Sequence, residues 1–174
     1  MVTIYIARHG QTDYNKAGLL QGQIDIPLNN TGFDQAYKLK VILKGVHFSS
    51  INSSDLSRAI ETARIVAGQA PDSYKEFREK SFGKYEGLRV DKFLEIPENE
   101  RTREVENFDD AAKRFNDKLV AICNEQELDS NVLLVSHSSI IKTFCQTVGI
   151  HYTKLGNCEY LIIKYDKDTG FHLL

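Results

Sequence analysis

Short apolar runs of the kind that fill buried strands alternate along this chain with segments of helical periodicity, and this alternation limits the fold more than any other feature. Val2 to Ala7 and Val132 to Val135 are the clearest strands, the second being the strongest in the chain. Phe48 to Asn52 is a further candidate, and Tyr74 to Phe77 a weak one. Tyr160 to Tyr165 and Phe171 to Leu174 flank an Asp168-Thr169-Gly170 turn. Between the strands, Ala36, Leu39 and Leu43 form an apolar stripe behind a Thr31-Gly32-Phe33-Asp34 capping box, with Gly45 able to end the helix. Leu56, Ala59, Ile60, Ala63, Val66 and Ala67 fall on one face of a second helix, whose N-cap is expected within Ser53-Ser54-Asp55. Phe108, Ala111, Ala112, Phe115, Leu119 and Ile122 mark a long third helix. Ile141, Phe144, Cys145 and Val148 mark a fourth, closed by Gly149. The pattern predicts an α/β fold: a three-layer α/β/α sandwich around a mostly parallel central sheet. Residues 1–174 read as one domain, in which 79–107 is a loop-rich lid or insertion with a short helix around Val90 to Leu94.

A formal net charge of -2 gives no bulk electrostatic case for nucleic acid or an anionic membrane, so any anion must be held by a local cluster of cations. No apolar stretch is long enough to span a bilayer. Cys123, Cys145 and Cys158 are widely spaced, odd in number and fit no metal-ligand spacing, which reads as buried thiols in a reducing compartment. Met1 is followed by neither a basic leader nor a cleavage site, so a cytoplasmic protein is expected.

In open α/β sheets, ligands bind beyond the carboxyl ends of the strands. Two core strands here end on a histidine: one runs into Arg8-His9-Gly10, the other into Ser136-His137-Ser138. A neutral imidazole at His9 could attack a phosphoryl group and carry it as phosphohistidine. Arg8 would hold phosphate oxygens through its planar fork, and Gly10 would let backbone N–H groups come close to an anion. Adjacent cations would keep His9 unprotonated. Arg58 lies in the first turn of the second helix but off its apolar stripe, as either a solvated arginine or a second phosphate clamp. His137 is either a satisfied core histidine or a donor to the same phosphate, able to carry charge. Transfer also needs a proton for the leaving alkoxide. The Arg78 to Gly87 stretch offers Glu79 and Glu86, between which residue chemistry alone does not choose.

These residues and their neighbours resemble the histidine phosphatase superfamily, in its phosphoglycerate-mutase-like branch. Arg8-His9-Gly10-Gln11-Thr12 with Asn15 is similar to the family's signature around the phosphorylated histidine. Gln21-Gly22 with Asp25, Pro27, Leu28 and Gly32 resembles its next stretch. Ser53-Ser54-Asp55-Leu56-Ser57-Arg58-Ala59 with Thr62-Ala63 resembles the segment carrying the second arginine. Glu79 with Phe82-Gly83 and Glu86-Gly87 resembles the proton-donor motif, and Val135-Ser136-His137 the segment of the second histidine. The matches run in family order from Ile4 to His137. The resemblance implies that His9 is the nucleophile and that Arg8, Arg58 and His137 form the phosphate pocket, with Asn15 touching it. It implies Glu79 as general acid and then base, and Gln21 and Gly22 as lining of the substrate entrance. It implies no metal and no cofactor.

Two departures stand out. Ser138 and Ser139 follow His137 where the family often has glycines, and their hydroxyls could add phosphate donors or narrow the pocket. Tyr85 stands where the family often has tryptophan. The branch's mutases carry longer segments after the proton-donor motif, whereas here only Leu88 to Asn107 occupies that stretch. A more open site favours hydrolysis over phosphate retention. The expected activity is therefore that of a phosphomonoester hydrolase acting on a small phosphorylated metabolite, similar to short bacterial α-ribazole-phosphate phosphatases and broad-specificity phosphatases. A mutase-type phosphotransferase and a silent phospho-ligand binder are the alternatives. Lys80, Lys84, Arg89, Lys92, Arg101 and Arg103 are interleaved with Glu86, Asp91, Glu95, Glu98, Glu100 and Glu104. A solvated mixed-charge surface accounts for most of them.

Overall fold

Side chains alternate across a strand, so an unbroken apolar run needs cover on both faces, and both central runs receive it. The computed structural model describes residues 1–152 and 154–174. Its strands are β1 (Val2–Arg8), β2 (Ser50–Ser54), β3 (Asp72–Tyr74), β4 (Asn131–Ser136), β5 (Tyr160–Asp166) and β6 (Gly170–Leu173). Its helices are α1 (Asp13–Ala17), α2 (Asn30–Ile42), α3 (Ser57–Ala67), α4 (Val90–Glu95), α5 (Glu98–Arg101), α6 (Phe108–Asn124) and α7 (Ser138–Thr147). The six strands form one sheet in the order β3-β2-β4-β1-β5-β6. β3, β2, β4 and β1 run parallel, while β5 and β6 continue the sheet antiparallel.

Ile4 and Ile6 of β1 and Val132 and Leu134 of β4 face α6 and α7, where they meet Phe115, Leu119, Ile141 and Phe144. The alternate residues Ala7, Leu133 and Val135 face α2 and α3, against Leu39, Ala59 and Ala63. The result is the expected three-layer α/β/α sandwich. Register then sets up the site: Arg8 pairs with Ser136, so the two strands ending in histidine stop side by side. No described helix is long and apolar enough to cross a membrane.

Local readings shift in several places, and the strand expected over Tyr74 to Phe77 instead ends at Tyr74, with a 3₁₀ turn at Lys75–Phe77. α2 begins earlier than the Thr31 box implies, because Asn29 caps it by accepting from the Gly32 N–H. The capping box lies instead at Thr12 and Asn15, opening the short helix α1. β2 starts two residues after Phe48 and runs through Asn52, Ser53 and Ser54, polar residues that are buried. The helix α3 takes no cap from Asp55, which pairs with Arg78. Asp25, from a distant loop, accepts from both the N–H and the hydroxyl of Ser57 instead. The 79–107 stretch holds two short helices, α4 and α5, and a 3₁₀ turn at Gly83–Tyr85. Tyr85 is buried there, edge-on to Phe93 at 5.4 Å between ring centres.

Candidate active site

Beyond the ends of β1 and β4 lies a cavity of about 140 Å³. Arg8, His9, Arg58 and Glu79 line it, together with Asn15, Gln21, Gly22 and Ser138. His137 is fully buried next to the lining residue His9, with its ring 5.0 Å from that of His9, centre to centre. The structure thus gathers Arg8, His9, Asn15, Gln21, Gly22, Arg58, Glu79 and Ser138 around one cavity, with His137 beside His9, while Glu86 and Gly10 do not line it. Leu19, Leu20, Phe82, Val90 and Ser139 also line it, residues with no chemical signal of their own.

The two imidazoles hold opposite tautomers. His9 Nδ1 lies 2.7 Å from the Gly10 carbonyl, which can only accept. Nδ1 therefore carries the proton, and the lone pair is on Nε2. His137 Nδ1 accepts from Arg58 Nε at 3.3 Å, since a guanidinium can only donate. Its proton is therefore on Nε2, which is buried and has no partner. Arg8 Nε is likewise buried without a partner, while its Nη1 donates to the Leu155 carbonyl. Buried donors left unpaired cost about 1–3 kcal/mol each. Two such donors, on a residue lining the cavity and on one packed beside it, leave hydrogen-bonding capacity that an anion could take up.

Burial, then the charges of Arg58 and Arg8, push His9 well below its ordinary value. His137 is lowered in the same way, by burial first and then by Arg58. Both are therefore neutral near pH 7, and the His137 Nε2–H is an uncharged donor. Burial lowers Arg58 to about 10, against the raising effect of Glu79 and Asp25, so it keeps its charge. Arg58 is no solvated arginine: it is fully buried, and its two Nη groups donate to the carbonyls of Ile24 and Gly22. Gly22 needs its missing side chain, because at φ 51° a Cβ would meet the Glu86 carboxylate at 2.1 Å.

Gly10 plays a different part from the one its position suggested. Its N–H donates to Thr62 Oγ1, so it is not available to an anion. A Cβ there would lie 2.6 Å from the Gly32 carbonyl oxygen, so the glycine lets the His9 turn pack against the start of α2. Thr62 in turn donates to the Arg58 carbonyl, tying the two motifs together.

The two glutamates separate clearly. Glu79 lines the cavity, and its carboxylate accepts from the N–H groups of Ser139 and Ile140 at the start of α7 and from Lys80. Glu86 instead accepts from the N–H groups of Gln23 and Phe82, bracing the entrance loop from behind. Three further side chains support the site, and of these only Asp25 lies within a stretch the sequence marks. Arg114 donates to the carbonyls of Glu76, Arg78 and Glu79 and pairs with Glu106. Asn157 donates to the carbonyl of His9 and the side chain of Asn15. Asp25 caps α3 just before Arg58. Among the described residues, no group of three His, Cys, Asp or Glu side chains is arranged to hold a metal ion.

The sequence matches the family model for the histidine phosphatase superfamily (branch 1) over residues 4–173. A broad-specificity phosphatase of Saccharomyces cerevisiae is 29% identical over 97% of this chain and 82% of its own length. The crystal structure of a phosphoglycerate mutase from Bacillus anthracis superposes with a TM-score of 0.86 at 29% identity, over 99% of this chain and 91% of that one. A mutant phosphoserine phosphatase from Entamoeba histolytica, in complex with phosphoserine, gives a TM-score of 0.86 at 26% identity, over 99% and 95%.

Proposed function

The chain belongs to the histidine phosphatase superfamily and is a phosphoric monoester hydrolase, and from that premise we propose that it works without a metal, through a phosphohistidine on His9. The observation that carries this reading is the His9 tautomer. With its proton held by the Gly10 carbonyl, Nε2 offers its lone pair beside the two unpartnered donors, Arg8 Nε and His137 Nε2. Nε2 attacks phosphorus and the ester P–O bond breaks. Arg8, Arg58 and His137 balance charge on the phosphoryl oxygens. Glu79 gives a proton to the leaving alkoxide, then takes one from the water that attacks phosphohistidine and releases phosphate.

The substrate in this reading is a small phosphorylated metabolite and the setting cytoplasmic, which the free thiols Cys123, Cys145 and Cys158 support. Hydrolysis is favoured over a mutase reaction because only the short Leu88 to Asn107 stretch follows the Glu79 segment, too little to wall the phosphoryl cavity off from water. The test is turnover of phosphomonoesters with chelator present. His9→Ala should abolish it with the fold intact. Glu79→Gln should lose about 10²–10⁴-fold on alkyl phosphates and far less on 4-nitrophenyl phosphate, whose leaving group needs no acid. Retained turnover in His9→Ala would refute the mechanism, and equal losses on both substrates would move the acid elsewhere.

A further inference from the structure

At about 140 Å³ the phosphoryl cavity is too small for a whole metabolite, since small-molecule sites usually span about 300–1,000 Å³. The neighbouring cavity, about 500 Å³, shares Phe82, Ser138 and Ser139 with it. This adjoining cavity can take the rest of the substrate. Lys80, from the segment just after Glu79, lines that cavity. So do Lys142, from the second turn of α7, and Lys154, from the segment before β5. Among the described residues, no acidic side chain lines it, and none of the three lysines takes part in an ion pair. The contrast with neighbouring cations is sharp: Lys84 pairs with Glu104, Arg89 with Asp91 and Lys92 with Glu95.

Three ammonium groups around one cavity repel each other, and an anion seated among them removes that repulsion. Apolar surface lies beside them: Phe82, Phe108, Tyr152 and Leu155 also line the cavity, and Lys80 Nζ sits 5.8 Å from the centre of the Phe108 ring. Low-polarity walls strengthen a charge–charge contact relative to open water.

We propose that this second cavity is a leaving-group subsite, in which Lys80, Lys142 and Lys154 select phosphomonoesters that carry a second anionic group. This rests on the smaller cavity being the phosphoryl site. A carboxylate and a second phosphate share the chemistry the lysines recognise. Phosphomonoesters with a neutral leaving group lose this contact and bind through the phosphoryl group alone.

Binding is measured by calorimetry in the His9→Ala background, which needs no turnover, and kcat/KM is measured in the wild type. One arm compares 3-phosphoglycerate with glycerol 3-phosphate, and the other fructose 1,6-bisphosphate with fructose 6-phosphate. In at least one arm the anion-bearing ligand should bind about tenfold or more tightly than its partner, equivalent to about 1.4 kcal/mol. The arm that does so identifies the second anion. Lys142→Ala combined with Lys154→Ala should bring that ratio close to one, and raised salt should shrink it. Ratios near one in both arms, or a preference that survives the double substitution, overturn the subsite. Loss of 4-nitrophenyl phosphate hydrolysis in the wild type would count against the hydrolase reading alone, since the binding ratios are read separately.

Discussion

Lowering the pH from 7.5 to 5.5 should remove stability from this fold through two side chains. His9 is 3% exposed and His137 is fully buried, and burial, ahead of the charges of Arg58 and Arg8, holds both well below the ordinary histidine value. In the unfolded chain each takes up a proton as the pH falls through about 6.5, while in the fold both stay neutral. The unfolded state then binds more protons. Stability is therefore complete above that pH and declines below it, until the depressed folded-state values are reached. Between pH 7.5 and 5.5 each histidine removes on the order of 1 kcal/mol, and the pair about twice that. That is a large share of a typical total of about 5–15 kcal/mol. The other histidines, His47, His151 and His172, are exposed, and ordinary carboxylates titrate below this window. Urea unfolding followed by circular dichroism at half-unit pH steps, in buffer free of phosphate, reads the loss directly. His137→Gln keeps an acceptor for Arg58 and a donor for the cavity, and should leave only about half of the loss. Unchanged stability across the range, or an undiminished loss in His137→Gln, would mean that the buried imidazoles are protonated in the fold.

Gly10→Ala should destabilise the protein by about 1–3 kcal/mol, because its Cβ meets the Gly32 carbonyl oxygen at 2.6 Å; urea unfolding checks it, and a neutral result would show that the turn yields. Arg114→Gln should release the backbone around Glu79 without touching substrate. Its kcat on alkyl phosphates should fall about tenfold further than on 4-nitrophenyl phosphate, and equal losses would reduce Arg114 to a purely structural role.

Apolar runs covered on both faces made the central strands legible, and the histidines at their ends marked the site before any coordinates did. Polar burial was not legible in the same way. Asn52, Ser53 and Ser54 look like loop residues, yet they complete β2, and the strand boundary moved accordingly. Arg58 looks like a surface arginine on its own helix, because the carbonyls that satisfy it come from Gly22 and Ile24 in another segment. Asp25, Arg114 and Asn157 act through contacts far away in sequence, and composition near them says nothing about it. The charged 79–107 stretch divides the same way. Lys84, Arg89 and Lys92 are the paired surface charges expected, whereas Lys80 turns into a cavity whose other lysines come from α7 and the segment before β5.

The order of strands has a consequence for how the protein is made. β1 leaves the ribosome first, yet its partners are β4 and β5, which begin at Asn131 and Tyr160. β2 likewise has only the three-residue β3 beside it until β4 arrives. For most of synthesis, then, the most apolar strand of the nascent chain has both edges open, a state that invites wrong pairings and chaperone contact. When β4 slots between β2 and β1, it joins the parallel strands into one sheet and carries His137 to His9 in the same step. A chain cut before Asn131 holds Arg8, His9, Arg58 and Glu79 but lacks His137 and the strand that brings them together.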